Sequence, residues 1–493
     1  MKQLSKNIHI LMGIVLFLCF FGFYSRIVPI IPFDTDDWYY MGYYRIPLPI
    51  WGDWNPSRVL PEILMPNLSI LAAYVIYPVT GNYIASMTMI YAIFMALLLV
   101  ILCYQLYRYA ESLGTPKLPM MLLTLFWVLL HFTLLAGAAS GNTWLWGSIT
   151  ATCYFYYAIP AIWNEALVIY LIRKRDVKKS VLVKILLCVF CYFGVFSNLF
   201  PAVILPAYTG MDLLVSFVRW IRDTKEGRGS FAKFLKEELF NLYVIILFLI
   251  SVVFELSGGR ASGFSGFQFA EVMETLKKSV CTVNPWALIS IVLMLLYSTI
   301  SLVRHRDSDA LNSERRFTLS KLLGAFVMVL LFNVLVCART GAWYIGRQDV
   351  LVDIVFFVLL AVFTLVSYAF TGSENKKSSY LVLGVALLLN VLAFVRFNPS
   401  FYAPTNSGGF FAEQCVQIDE DIVHQITEAV SENQSRMDLK VPDFGSSDNW
   451  PLATYAGGPY SRFAYTLWRH GLIQKSISIN VVPDQAKNAE FGF

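Results

Sequence analysis

The chain has 493 residues, of which 57% are hydrophobic, 16% aromatic and only 14% charged. In soluble globular proteins about a quarter of the residues are charged. This composition therefore excludes an ordinary soluble protein and indicates an integral membrane protein. The formal net charge of +5 is modest, and the basic loops lack the interleaved aromatic residues typical of nucleic-acid-binding grooves.

Apolar runs of about 20 residues, the length that crosses a bilayer, recur over residues 1–396. The first run follows Lys2 and Lys6, and no small-residue cleavage site comes after it. We therefore expect a retained first span and not a signal peptide. Eleven runs are predicted spans: 8–30, 84–107, 119–138, 149–172, 181–198, 202–220, 238–256, 284–303, 318–338, 350–370 and 380–396.

A twelfth apolar segment, 63–79, is short for a span, and the distribution of basic residues decides its place. If it does not cross, the clustered Lys and Arg of 173–179 and 219–236 share one side of the membrane, whereas the opposite loops 140–148 and 197–202 have none. If it crossed, every later loop would change sides. The sequence therefore predicts a re-entrant or interfacial helix at 63–79, about eleven transmembrane helices and a cytoplasmic N-terminus.

The C-terminal residues 397–493 are richer in Asp, Glu, Asn, Gln, Ser and Pro than the rest. Residues 418–431 have helical apolar spacing, and 476–482 alternate like a strand. The expected topology places this segment and the first outer loop, 31–83, on the outer face. The sequence thus predicts an all-α transmembrane domain, 1–396, followed by a small α/β extracytoplasmic domain, 397–493.

Three carboxylates, Asp34, Asp36 and Asp37, stand within four positions directly after the first span. Charges at a membrane edge are costly and usually bind or catalyse. Because carboxylates this close do not all ionise cheaply, either one has a raised pKa or the cluster binds a divalent cation, with Asp34 and Asp36 as the metal pair. The alternative is that Asp34 or Thr35 caps the following helix. Trp38, next in the chain, is a candidate for substrate contact.

Arg58 lies in the turn 55–58 of the same outer loop. A guanidinium suits bidentate contact with a phosphate, so Arg58 is a candidate phosphate ligand. The alternative is an ion pair with Glu62, four residues further along a helix.

A later outer loop, 339–349, brings further cations and aromatic rings to the same face. It could hold a lipid phosphate, or it could be an interfacial aromatic belt with a plain Arg347–Asp349 ion pair. Its candidate binding residues are Arg339, Trp343, Tyr344 and Arg347.

A first span from the cytoplasm, an outer loop opening with Asp36-Asp37-Trp38, a membrane-lying segment and many further spans resemble the GT-C superfamily of membrane glycosyltransferases. Within it the chain is similar to bacterial O-antigen serotype-conversion glucosyltransferases and to bacterial membrane proteins with a DDW…R motif. The architecture covers about the first 396 residues, and the motif covers 33–62. The resemblance implies that Asp36 and Asp37, and less directly Asp34, act as the catalytic base or hold a metal.

The implied reaction moves a hexose, with glucose as the candidate, from a polyprenyl-phosphate donor to a cell-surface glycan or lipid-linked acceptor. We expect it to be inverting, with an Asp of the first outer loop as base, at the outer face of the cytoplasmic membrane. Mg²⁺ or Mn²⁺ is the candidate cofactor. The expected partners are the donor, the acceptor and membrane lipids, and no nucleic acid. The alternatives are a Wzy-like polysaccharide polymerase or ligase and a lipid-glycan transporter, which would need charges inside the helix bundle.

Overall fold

The structure is a computed structural model that describes residues 2–52, 54–135, 144–174, 179–226, 229–257, 266–304, 309–372, 376–397 and 408–492. Within these ranges the protein is mostly helical, with one pair of short strands near the C-terminus. The helices of the first half are α1 Lys2–Gly22, α2 Thr35–Gly42, α3 Val59–Leu71, α4 Tyr77–Thr80, α5 Tyr83–Ser112, α6 Lys117–Thr133, α7 Ala151–Cys153, α8 Ile159–Arg173, α9 Val181–Val195, α10 Leu199–Ala202, α11 Ile204–Lys225 and α12 Phe231–Leu256.

The second half adds five long helices and a small C-terminal domain. Its elements are α13 Phe269–Cys281, α14 Pro285–Arg304, α15 Asp309–Thr340, α16 Gln348–Gly372, α17 Lys376–Phe397, α18 Ala412–Ser431, β1 Arg436–Pro442, α19 Arg462–Arg469, β2 Ser478–Asp484 and α20 Gln485–Phe491.

Ten helices among the described residues are long and apolar enough to cross a membrane. Nine of the eleven predicted runs fall on them, and the other two fall on the shorter apolar helices α6 and α9. The tenth long helix is Val59–Thr80, which contains the segment expected to be re-entrant or interfacial. The prediction of a multi-pass helical membrane protein is confirmed.

Helix α5 and the continuous helical segment Ala151–Arg173, which contains α8, run in parallel and mark the two ends of the bundle. Near one end the rings of Tyr91 and Phe155 lie 5.1 Å apart. Near the other end Arg173 donates a hydrogen bond to Gln105 at 2.8 Å. We call the first end, where α5 begins, the Tyr83 end of the bundle. We call the second end, where α8 ends, the Arg173 end.

The segment Val59–Thr80 begins and ends toward the Tyr83 end. Just before it, the backbone N–H of Arg58 donates to Ser197, beyond the end of α9, at 2.8 Å. Midway, Ser69 and Tyr91 share a 2.5 Å hydrogen bond, and at its end the ring of Tyr77 lies 6.0 Å from that of Tyr83. All three contacts lie toward the Tyr83 end, so the segment stays away from the Arg173 end of the bundle.

The C-terminal domain is built on two parallel strands, β1 and β2, which are paired from Arg436–Ser478 to Pro442–Asp484. Inward-facing side chains of both strands, including Leu439 and Ile479, are buried, and β1 packs against α18 and α20. The predicted helix at 418–431 is confirmed within α18. The predicted strand at 476–482 is confirmed as β2, which lies two residues further on.

Candidate functional site

Helix α2 has two chemically different faces. Asp37, Trp38 and Met41 are fully buried, whereas Asp36, Tyr39, Tyr40 and Tyr43 are half-buried. The half-buried residues are spaced three, four and seven apart from Asp36, which places them on one side of a helix. The split gives the three predicted acids different surroundings.

Asp34 and Asp37 hold the start of α2. The Asp34 carboxylate accepts hydrogen bonds from the backbone N–H groups of Asp36 and Asp37 at 2.8 and 3.0 Å. Asp37 returns the contact by accepting from the N–H of Asp34, and also from those of Phe33 and Thr152. This reciprocal capping box is the helix-cap alternative considered from the sequence.

Both capping carboxyls are buried, and burial disfavours their charged form. Burial raises the pKa of Asp37 to about 6, although hydrogen bonds from Thr152 and Phe33 oppose the shift. Burial also raises the pKa of Asp34 well above its usual value, and the neighbouring Asp37 adds to the increase.

Trp38 lies in the interface between α2 and the C-terminal domain, away from open surface. Its indole Nε1 donates to Asp419 of α18 at 3.2 Å, and its ring packs on Phe463 of α19 at 5.3 Å. The side chain is fully buried. The structure therefore places Trp38 as an anchor for the C-terminal domain.

Several further polar contacts fasten the same interface. The Thr35 hydroxyl donates to the carbonyl of Pro451 at 2.7 Å, and the Thr466 hydroxyl donates to the carbonyl of Trp38 at 2.6 Å. His470, at the end of α19, bonds to Tyr83 at 2.6 Å and to the carbonyl of Met41 at 3.2 Å. Helix α2 is thus held between the membrane bundle and the C-terminal domain.

On the half-buried face, Asp36 meets a cation from the C-terminal domain. Its Oδ1 lies 2.9 Å from Nη1 of Arg462. The Arg462 guanidinium also covers the rings of Tyr39 and Tyr455, at 5.0 and 5.1 Å from their centroids. The Asp36 side chain remains 47% exposed to solvent, so a ligand can reach this carboxylate.

The face continues into a second group of cations and phenols. The Tyr40 ring lies 5.1 Å from that of Tyr156, whose hydroxyl donates to Glu62 at 2.7 Å. Arg45 donates to the other oxygen of Glu62 at 2.6 Å. The Arg58 guanidinium lies 5.8 Å from the Tyr156 centroid. We call the whole set the tyrosine–arginine strip: Asp36, Tyr39, Tyr40, Arg45, Arg58, Glu62, Tyr156 and Arg462.

Arg58 differs from the sequence-based alternative in its partner. Glu62 is occupied by Arg45 and Tyr156, and Arg58 instead lies 3.9 Å from Glu255 at the end of α12. Its backbone adopts a left-handed conformation, with φ of 65°, which is uncommon for a residue with a side chain. Arg58 thus reaches the strip from the turn that directly precedes α3.

The loop 339–349 contacts Tyr157, which follows the strip residue Tyr156 in the chain. Arg347 makes a bidentate pair with Asp349, at 2.8 and 2.6 Å, and covers the ring of Tyr157 at 4.5 Å. Trp343 is 58% exposed and stacks on Tyr344 at 3.9 Å. Arg339 is half-buried in the last turn of α15. Arg347 therefore matches the ion-pair alternative, while Trp343 presents an open aromatic face.

The suggested metal pair has oxygens that face different partners. Asp34 faces the N-terminus of its own helix, and Asp36 faces Arg462. In the described part of the chain, no three His, Cys, Asp or Glu side chains converge as a metal-ligand set. These carboxylates do not fit a divalent cation, and we derive no step through one.

Sequence reasoning missed Arg45 and Tyr156 of the strip, and it considered Glu62 only as a partner of Arg58. Arg45 and Glu62 are 17 residues apart, and Tyr156 joins them from another helix.

Sequence reasoning also missed Asp353, which is buried in α16 within electrostatic range of Glu165 in α8. Neither of these two carboxyls has a hydrogen-bond partner among the described residues. The sequence did carry a signal for this residue, because Asp353 is an acid inside the apolar run 350–370.

Comparison with known proteins gives no relative: no protein-family model, no curated protein and no solved structure matches the chain.

Proposed function

We propose that this protein is a membrane glycosyltransferase that moves a hexose from a polyprenyl-phosphate donor to a glycan or lipid-linked acceptor. One observation carries the proposal: Asp36 lies beside tyrosine rings and guanidinium groups on the same accessible face of the protein. Aromatic faces suit sugar rings, and guanidinium groups suit phosphate. The resemblance of the Asp36-Asp37-Trp38 loop to GT-C enzymes supports the same function.

The proposed orientation has the N-terminus in the cytoplasm and the strip at the outer face of the cytoplasmic membrane. The basic loops 173–179 and 219–236 then lie inside, as the positive-inside rule requires. The contacts of Val59–Thr80 support a re-entrant segment, because both of its ends lie toward the Tyr83 end of the bundle. The C-terminal domain, docked on α2, is outside.

Asp36 is the proposed general base, because the other two acids are occupied by backbone N–H groups. In the reaction an acceptor hydroxyl oxygen attacks the anomeric carbon while the bond from that carbon to the phosphate oxygen breaks, with inversion. Asp36 takes the hydroxyl proton. Arg58 stabilises the charge on the departing polyprenyl phosphate, and Arg462 orients the Asp36 carboxylate.

The deciding experiment compares Asp36→Asn with Asp421→Asn, an acid of α18 that is paired with Lys487 at 2.9 Å and lies outside the strip. Purified variants are incubated with polyprenyl-phosphate hexose, and surface glycans of complemented deletion strains are analysed. Because loss of a general base costs about 10²–10⁴-fold in rate, we expect Asp36→Asn to lose transfer. Asp421→Asn should keep it. Full activity of Asp36→Asn would remove the basis of the assignment.

The same glycan analysis separates this function from a polysaccharide polymerase or ligase. Loss of a single side-branch sugar with unchanged chain length supports the transferase. A change in chain length with the repeat unit intact supports the polymerase.

A transporter is the second candidate, favoured by the buried carboxyls of Glu165 and Asp353. Ionisable groups inside a bundle often serve ion or proton movement. Asp353→Asn and Glu165→Gln should leave sugar transfer by the purified enzyme intact if the first proposal holds. Loss of lipid-glycan movement in vesicles on either change, without any transfer activity in the wild type, would favour the transporter.

A further inference from the structure

A cavity of about 840 Å³ opens between α8, α9, α11 and α12, and no residue of the tyrosine–arginine strip lines it. Its volume is in the range of ligand sites. Asn164 of α8 donates to the carbonyl of Pro201, shortly before α11, at 3.0 Å, and α8 and α11 are in contact. Leu171 and Tyr208, each seven residues further on, both line the cavity. The cavity therefore lies at the Arg173 end of the bundle.

The wall of the cavity has two chemical zones. Side chains from four helices form its apolar part: Leu171, Leu187, Tyr208 and Tyr243. Lys179, Lys184 and Lys236 bring ammonium groups to the same cavity. An apolar wall beside ammonium groups suits an amphiphile with an acidic head.

Three carboxylates also line the cavity, and each already has a partner. The pairs are Asp212 with Lys321 at 2.8 Å, Glu237 with Lys233 at 3.9 Å and Glu238 with the amide of Asn241 at 2.6 Å.

Lys184 and Lys236 differ from these carboxylates. Neither ammonium has a hydrogen bond or ion pair with any residue that the structure describes, and both residues are exposed. Their charge is thus available to a ligand, whereas Asp212 and Glu237 face lysines and Glu238 accepts from a neutral amide.

We propose that this cavity binds the phosphate head of an anionic glycerophospholipid from the adjoining leaflet. Lys184 and Lys236 contact the phosphate, and an acyl chain lies along Leu187 and Tyr243. A lipid rather than a soluble phosphate compound is favoured because the apolar wall extends from the charged rim toward the bilayer interior. The proposal goes beyond the transferase and does not depend on it.

The test uses the full-length protein in a neutral detergent and follows its thermal unfolding midpoint as lipid is added. Short-chain phosphatidylglycerol should raise the midpoint more than phosphatidylcholine of the same chain length. Each lysine near a lipid surface contributes enough for roughly a fivefold change in affinity. Lys184→Gln should therefore raise the half-saturating concentration about fivefold and the double variant with Lys236→Gln about thirtyfold, by the same estimate.

Lys225→Gln is the matched control, since Lys225 is an exposed lysine at the end of α11 outside the cavity. It should behave like the wild type, and native mass spectrometry should count fewer phosphatidylglycerol adducts only on the cavity variants. Equal shifts with both lipids, or cavity variants that respond like the wild type, would overturn the proposal. Glycerol phosphate producing the full shift by itself would overturn the assignment to a lipid.

Discussion

The two faces of α2 show how neighbouring acids acquire different roles. Asp37 is enclosed and accepts three backbone N–H groups, whereas Asp36, one residue earlier, is half-exposed and faces Arg462. A helix turns about 100° per residue, so adjacent positions point to different surroundings. The difference teaches that a cluster of acids in a sequence combines structural and accessible carboxylates, and it yields tests that rank by expected effect.

The largest effect is expected from Asp37→Asn. An asparagine has one carboxamide oxygen for the three N–H groups, and its own NH₂ would face donors. The Thr152 N–H and the new NH₂ would then both lack an acceptor. Buried donors left unpaired cost about 1–3 kcal/mol each, so we expect a loss of roughly 2–6 kcal/mol of stability. The recovery of monodisperse protein and its unfolding midpoint measure this. A well-folded Asp37→Asn variant would contradict the capping role.

The next effect concerns the pH dependence of the docked C-terminal domain. Burial lowers the pKa of His470 to about 4. A group whose folded pKa is lowered binds fewer protons when folded, so its contribution is complete above the unfolded value of about 6.5 and is lost as pH falls to about 4. We expect a loss on the order of 3 kcal/mol over this window.

Asp37 has the opposite sign over an overlapping window. Its raised pKa makes the folded state keep a proton that the unfolded state loses, so its contribution to stability falls as pH rises from about 4 to about 6. Unfolding midpoints of the wild type and His470→Gln across pH 4 to 7 separate the two groups. His424→Gln, which changes an exposed histidine, is the control. Equal pH slopes in all three proteins would contradict the assignment to His470.

A smaller effect is expected from Gly42→Ala, at the end of α2. A Cβ at this position would lie 2.4 Å from the Thr466 hydroxyl and 3.1 Å from its Cα. Overpacking of this kind costs about 1–3 kcal/mol and should loosen α19 from α2, which limited proteolysis of the C-terminal domain detects. Gly384→Ala is the matched control, because nothing lies within 4 Å of its added Cβ. Equal protease resistance of both variants would argue against this tight contact.

The smallest effect on stability is expected from Asp36→Asn. The ion pair with Arg462 is partly exposed, and such pairs contribute about 0–1 kcal/mol. The unfolding midpoint should barely change, although transfer activity is lost. This contrast with Asp37→Asn is what separates the two faces. A large loss of stability on Asp36→Asn would make both acids structural.

The sequence by itself determined the multi-pass helical architecture and the composition change at the C-terminal domain. Hydrophobic length and helical or strand periodicity are local properties, so the spans, α18 and β2 could be predicted from short windows. The capping alternative for Asp34 was also visible, because its partner Asp37 is three residues away.

Only the tertiary structure decided which acid is accessible and which cations approach it. Trp38 forms a hydrogen bond with Asp419, 381 residues further along the chain. Asp36 forms one with Arg462, 426 residues further along. Glu62 pairs with Arg45 and not with Arg58, because the loop that precedes α3 returns to lie against the start of that helix. Contacts of this kind depend on how helices dock, and helix docking follows from the packing of many residues together instead of from any single stretch of the chain.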